Sequence, residues 1–284
     1  RRGGLRKPSS TSLPATPARP LAWAPVPRLR SSRSAWIRKL GALVFLAASF
    51  ALLFFATGCW YGGVAGVMLW FFLPWVELLT RVRRMKLPMD NRLQHRPSPN
   101  PAFFPNARET VMRMETEGYR HVSDCCWEWA GMKQHYRLFY HNDSKTVATL
   151  CLCEQADVVF SFVSISSMGR DGEVWKTTNY PFAPTLMYPE KFHWNHVPCS
   201  RNCFLQILAN HREHLARYGI ENASLVAGDP EHLEEIIEEE MQEMIEHNLD
   251  RGIIEFSGEG YFCYSTKGLF YLWGQFVKDM VRLC

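Results

Sequence analysis

The chain has 284 residues, 47% hydrophobic and 21% charged. That leaves room for one membrane element and one or two globular domains, and it excludes a wholly disordered chain, a collagen-like repeat or a disulfide miniprotein. The net charge of +4 averages unlike segments: residues 1–39 hold eight Arg and two Lys without an acid, residues 81–86 add four cations, and residues 88–284 are left with −9. A globally basic nucleic-acid binder is thereby excluded.

Residues 1–36 are rich in Arg, Pro, Ser and Ala, lack Asp and Glu, and have no helical or strand period. Such a stretch cannot bury enough surface to offset its ordering entropy and is expected to be disordered. Beginning on Arg, it reads as a fragment end or an upstream extension. Its composition also fits a transit peptide, but the apolar run that follows directly disfavours that reading.

From Leu40 to Val76 there are 37 residues without a formal charge. As one helix this would be about 55 Å long, against a hydrocarbon core of about 30 Å. The interruption Thr57-Gly58-Cys59-Trp60-Tyr61-Gly62-Gly63 supplies turn geometry and interfacial aromatics. The expectation for 37–80 is therefore a transmembrane hairpin of helices 40–57 and 63–79, with Leu40, Phe45, Trp60, Tyr61, Trp70 and Trp75 as anchoring residues. Arg38 and Lys39 precede the run, and Arg81, Arg83, Arg84 and Lys86 follow it. Cations are retained on the cytoplasmic side, so a hairpin satisfies both flanks where a single crossing would not. The chain is thus expected to cross twice, with both termini cytoplasmic. Gly58, Gly62 and Gly66, four apart, would allow close helix approach. Ala56-Thr57-Gly58-Cys59 also resembles a lipoprotein cleavage box, which would make Cys59 an acylated anchor. An apolar stretch follows Cys59 in place of a polar tether, against that alternative.

Residues 81–105, basic at first and then with five prolines, read as a juxtamembrane linker. In 106–284 the chain is long enough for one ordinary core. Asn106 and Glu109 form a capping-box pattern, Phe103 and Phe104 are available as a staple, and Gly118 is a stop. Strands are expected at 119–129, 134–141, 146–154, 157–167 and 173–179, with connections too short for crossover helices. Pro181, Pro184, Pro189 and Pro198 mark an irregular crossing of the surface. A helix from about Phe204 to Gly219 follows, then one started by Asp229-Pro230 and ended by Gly252. A hairpin comes next, over 253–256 and 261–265. A last helix from Thr266 is apolar enough to need cover, for which the sheet face is the first choice and a leaflet or partner the second. The fold class is α+β: a two-helix transmembrane hairpin, then a cytoplasmic domain with a four- or five-stranded antiparallel sheet packed by helices.

The chemistry is less specific. Nine cysteines in a cytoplasmic setting read as buried thiols rather than disulfides. Cys151 and Cys153 share a strand face, whereas Cys125 and Cys126 point to opposite faces. His193, His196, Cys199 and Cys203 offer four zinc donors in one short segment, without the paired spacing structural zinc usually has. His211 and His214 share a helical face but belong to no zinc-protease motif. Thr177, Thr178 and Asn179 form a polar cluster at a strand exit where a ligand or partner could be met. No cofactor is implied. The preferred reading is a protein held to membrane lipid whose domain binds a protein partner, not a nucleic acid. The alternative from another class is a tethered Cys/His hydrolase or thiol enzyme.

Overall fold

The computed structural model describes residues 32–283 except 105, 130–131, 156–157, 198–203 and 259. Two helices, α1 (Ser32–Thr57) and α2 (Trp60–Thr80), come first. Gly58 turns the chain between them at φ 67°. Close approach follows from the missing side chains. A Cβ at Gly63 would lie 2.5 Å from the Phe50 ring, and one at Gly66 would lie 2.7 Å from the Ser49 carbonyl. Among the described residues no single helix is long and apolar enough to cross a membrane; α2 meets the requirement only as a bent pair, Trp60–Phe72 and Pro74–Arg84, joined at 43°. Pro74 is the cause of the bend, because its ring displaces the preceding turn and it brings no N–H to the helix.

The segment expected to be a linker is instead part of the domain. It contributes β1 (Leu87–Pro88) and β2 (Gln94–His95). A capping turn at Asn100 precedes α3 (Ala107–Thr116), which Gly118 ends at φ 91°. The expected capping box does not form: Asn106 is left-handed at φ 61°, its side chain caps nothing, and its carbonyl accepts from both the N–H and the hydroxyl of Thr110.

Next come β3 (Arg120–Trp129), β4 (Met132–His141), β5 (Thr146–Gln155), β6 (Val158–Met168) and β7 (Val174–Thr178), the expected meander. The sheet is larger than expected: its seven strands run β2-β3-β4-β5-β6-β7-β8, with β8 (Phe192–His196) parallel to β7 and all other neighbours antiparallel. Alternation sorts the side chains onto two faces. Phe139, Ala148 and Ile165 stand in register on one face. They pack with Met114 of α3 and with Phe204 and Ile207 of α4 (Phe204–Arg217). Leu138, Tyr140 and Cys125 belong to the other face, under Leu233, Ile236 and Ile237 of α5 (Leu233–Asp250). Asp229 caps the turn that leads into α5 by accepting from the Glu231 N–H.

A second core lies beside this sandwich. β9 (Ile254–Gly258) and β10 (Tyr261–Tyr264) form a hairpin that β1 extends to a three-stranded sheet, and α6 (Thr266–Leu283) packs on it. Gly268 lets α6 sit directly on the Ile253 carbonyl, which a Cβ would strike. Ile245, Ile253, Ile254, Phe262, Tyr264, Leu269 and Leu272 enclose Leu78 of α2, which has no exposed surface. The cover of α6 is thus α2 and the small sheet, not the face of the large one. The two cores share α5: Leu233 serves the first and Ile245 the second.

Candidate functional site

The most unusual surface is the helix pair. Leu52, Phe55, Trp60, Tyr61, Met68, Leu69 and Phe72 are all exposed, Phe55 and Tyr61 by 79% and 83%. Large apolar side chains exposed in such number along one helix pair mark a surface that a partner or lipid would cover. Trp60 and Tyr61 sit at the turn; near the bend, of the two tryptophans expected to anchor, Trp70 is buried and Trp75 half-buried. The side chains of Leu40, Phe45, Arg38 and Lys39 lie outside the described set, although their backbone is helical. Arg81, Arg83 and Arg84 are at the base of α2, where Arg81 meets Glu77 at 3.2 Å on the surface.

That surface is mounted firmly on the domain. The Trp273 indole of α6 donates to the Phe71 carbonyl at 2.8 Å. Trp75 packs against Phe270 and Trp273 with ring centroids 4.9 and 6.2 Å apart. Proline distorts the helix just where this indole finds an accessible carbonyl. Cys59 is exposed and stands directly before α2.

A concavity of about 440 Å³ lies where α5 meets the β2–β3 edge, lined by His95, Ser123, Glu231, Glu234, Glu235 and Glu238 among others. Two of these carboxylates are engaged: Glu234 meets His95 at 3.2 Å, and Glu238 accepts from the Leu93 N–H at 2.5 Å.

The two described zinc candidates, His193 and His196, do not converge. His193 and His196 are three apart on one strand and so point to opposite faces. The His193 Nε2 is 2.7 Å from a Glu173 carboxylate oxygen, whereas the His196 Nε2 donates to the Tyr180 carbonyl at 2.8 Å. Cys199 and Cys203 lie outside the described residues. Among the described residues no group of three or more His, Cys, Asp or Glu is placed to hold a metal.

Thr177 and Thr178 are fully buried, and their hydroxyls are engaged with His211 Nδ1 at 3.0 Å and the Val163 carbonyl at 2.8 Å. The Asn179 Oδ1 accepts from the Val163 N–H at 2.6 Å, so the cluster closes the sheet rather than opening onto solvent. His211 also meets Ser167 Oγ at 2.9 Å through Nε2. Burial pushes its pKa down to about 3, helped by the charges of His214 and Arg212. A neutral, doubly hydrogen-bonded imidazole is a structural pin. His214 Nε2 donates to the His193 carbonyl at 3.0 Å, and burial lowers its pKa too.

The thiols have the same character. Cys125, Cys126, Cys151 and Cys153 are free and buried, with the Sγ atoms of Cys151 and Cys153 3.6 Å apart on one face. Burial pushes Cys125 up to about 12 and raises Cys126; burial and the neighbouring Cys153 raise Cys151. One Cys–His pair is set by strand register: Cys126 and His135 are directly opposed on β3 and β4. It needs β-register, which no local motif encodes. His135 Nδ1 is buried without a hydrogen-bond partner, and burial lowers its pKa. A raised thiol beside a lowered imidazole opposes formation of a thiolate–imidazolium pair.

The chain matches no known family model, no curated protein and no solved structure.

Proposed function

We propose that this is a membrane-anchored protein in which the α1–α2 hairpin enters the bilayer from the cytoplasmic face and returns to it, while the α+β domain acts by binding a protein partner rather than by covalent chemistry. The observation that carries the reading is the set of exposed large apolar side chains along the two hairpin arms, Leu52 and Phe55 on one and Met68, Leu69 and Phe72 on the other. Lipid is the solvent in which such a set costs nothing. The cationic flanks on either side of the apolar run favour retention of both ends on one side. The negative domain is held off anionic lipid, which leaves its acidic α5 side available to a basic partner surface.

Flotation of the full chain with phosphatidylcholine–phosphatidylserine vesicles tests the anchor. The protein is expected to stay with the vesicles at high salt and at alkaline pH; release into the aqueous fraction under either condition rejects the anchor. Iodoacetamide kinetics with peptide mapping test the binding reading against a thiol enzyme. The four buried cysteines are expected to react only on unfolding, and one fast thiol among them at neutral pH would turn the assignment to catalysis.

A further inference from the structure

The stretch after α2 carries cations at Arg81, Arg83, Arg84 and Lys86, and the structure holds it as a fixed ridge rather than a loose tether. Arg81 ends α2 by donating its N–H to the Glu77 carbonyl at 2.9 Å, Val82–Arg84 form a tight helical turn, and the Met85 N–H closes that turn on the Val82 carbonyl at 3.1 Å. β1 follows at once, with Leu87 opposite Phe262 and Pro88 opposite Tyr261 of β10. Val82, Met85, Leu87 and Met89 are half-buried against the second core, whereas Arg81, Arg83, Arg84 and Lys86 are all exposed. Every apolar side chain of the ridge thus ties it to the domain, and every cation is left in solvent.

The cations are also largely unneutralised. Arg81 meets Glu77 at 3.2 Å on the surface. Among the described residues Arg83, Arg84 and Lys86 form no ion pair. Exposed apolar side chains adjoin them: Val76 and Leu79 in the last turns of α2, and Phe270 of α6, whose ring packs on Trp75 at 4.9 Å. Unpaired cations beside exposed apolar groups on one rigid support suit a boundary where hydrocarbon gives way to charged headgroups. In the membrane reading, on which this inference rests, the ridge stands where the hairpin leaves the hydrocarbon, so lipid phosphates are the anions within its reach.

We infer that the Arg81–Lys86 ridge is a binding surface for anionic phospholipid headgroups. A flexible segment would spread the same charges over many positions, whereas the ridge keeps them at one level and joins the membrane surface to the second core. The net negative charge of residues 88–284 is repelled by the same lipids, so attraction is confined to this edge of the domain.

The full chain is reconstituted in phosphatidylcholine vesicles containing a trace of spin-labelled phosphatidylserine or, in a parallel sample, spin-labelled phosphatidylcholine. Electron paramagnetic resonance reads the fraction of each label immobilised against the protein. Phosphatidylserine is expected to be favoured about fivefold over phosphatidylcholine at low salt, and less as salt rises. The triple variant Arg83→Gln, Arg84→Gln, Lys86→Gln is expected to bring the preference within about twofold while leaving the unfolding transition unchanged, because these side chains are exposed and unpaired. No preference in the unaltered protein, or the same preference in the triple variant, overturns the inference; immobilised phosphatidylcholine in that case leaves the anchor standing. Absence of an immobilised component from either label rejects the anchor itself.

Discussion

The two cores of the domain are assembled in opposite ways. The seven-stranded sandwich takes its central strands, β3 to β7, in chain order, each paired with the next across a short turn. The second core collects residues from both ends of the chain: Trp75 and Leu78 from α2, Leu87 from β1, Ile245 from α5, and Phe262 to Phe276 from β10 and α6. Local pairing can form early with little loop-closure cost, whereas the second core must wait until distant segments meet. α2 therefore has two roles divided by Pro74: a surface-exposed apolar arm before it, and a core element after it.

This division is broken most severely at Leu78. Leu78→Ala removes a fully buried side chain and is expected to lower stability by about 2–5 kcal/mol. Chemical denaturation of the detergent-solubilised protein, read by tryptophan emission, measures it. Phe55→Ala, on the exposed arm, is expected to leave that transition unchanged and to weaken vesicle partitioning by about 2 kcal/mol. Equal effects of the two substitutions on unfolding would mean that α2 is not divided at the proline.

The sandwich has a different vulnerability, acid. His211 is held neutral in the fold with a pKa near 3, against an ordinary value of 6.5. The unfolded chain takes up this proton first, so the fold loses stability as pH falls from about 6.5 toward 3, at a limiting rate of about 1.4 kcal/mol per pH unit. From pH 6.5 to 4 that is about 3 kcal/mol. His211→Gln, which retains hydrogen bonding to Ser167 or Thr177, is expected to flatten the slope in denaturation curves taken across this range. An unchanged slope would place the acid sensitivity elsewhere.

A smaller effect is expected at Asn248, which ties α5 to the chain crossing beneath it. Its Nδ2 donates to the carbonyls of Met187 and Met244, each at 2.7 Å, and its Oδ1 accepts from the Met187 N–H at 2.9 Å. Asn248→Leu leaves the Met187 peptide groups unpaired and should cost about 1–3 kcal/mol. Faster amide exchange at Met187 would separate this cause from loss of packing.

The contrast also explains what was legible in the sequence. The strands of the meander were readable because period-2 patterning and turn residues are local signals, as at Asn142-Asp143-Ser144 before β5. The helix from Asp229-Pro230 was readable for the same reason, although its first turn is tighter than α-helix. β8 was not, because it pairs in parallel with β7 across a proline-rich crossing. β1 and β2 are two residues each and owe their conformation to partners about thirty residues away in the case of β2 and farther still for β1. The second core was hidden for a deeper reason. Leu78 and Leu79 are the same residue in adjacent positions, yet one is fully buried and the other 46% exposed. Hydrophobicity says that a side chain avoids water, and it is silent on whether protein or lipid replaces it. Among the site candidates, the opposite facing of His193 and His196 follows once β8 is known to be a strand, whereas the enclosure of Thr177 and Thr178 depends on α4 and β6.

The smallest effect bears on whether the cores act as one. α5 touches both, and Lys176 of β7 reaches across to its Glu240 at 2.9 Å, with side chains 25% and 15% exposed. A pair this sheltered is expected to show a coupling of about 1 kcal/mol in a double-mutant cycle of Lys176→Met and Glu240→Gln. Arg217–Glu213, at 3.6 Å and largely in solvent, gives the baseline and should couple near zero. Where the Lys176–Glu240 coupling is read matters as much as its size. If exchange of amides in β9 and β10 rises together with that of β7 in the single variants, α5 transmits strain between the cores, and a partner seated on its acidic face would be felt at the base of the hairpin. If only β7 responds, the sandwich and the hairpin's mount are energetically separate, and the domain reports nothing to the α1–α2 hairpin.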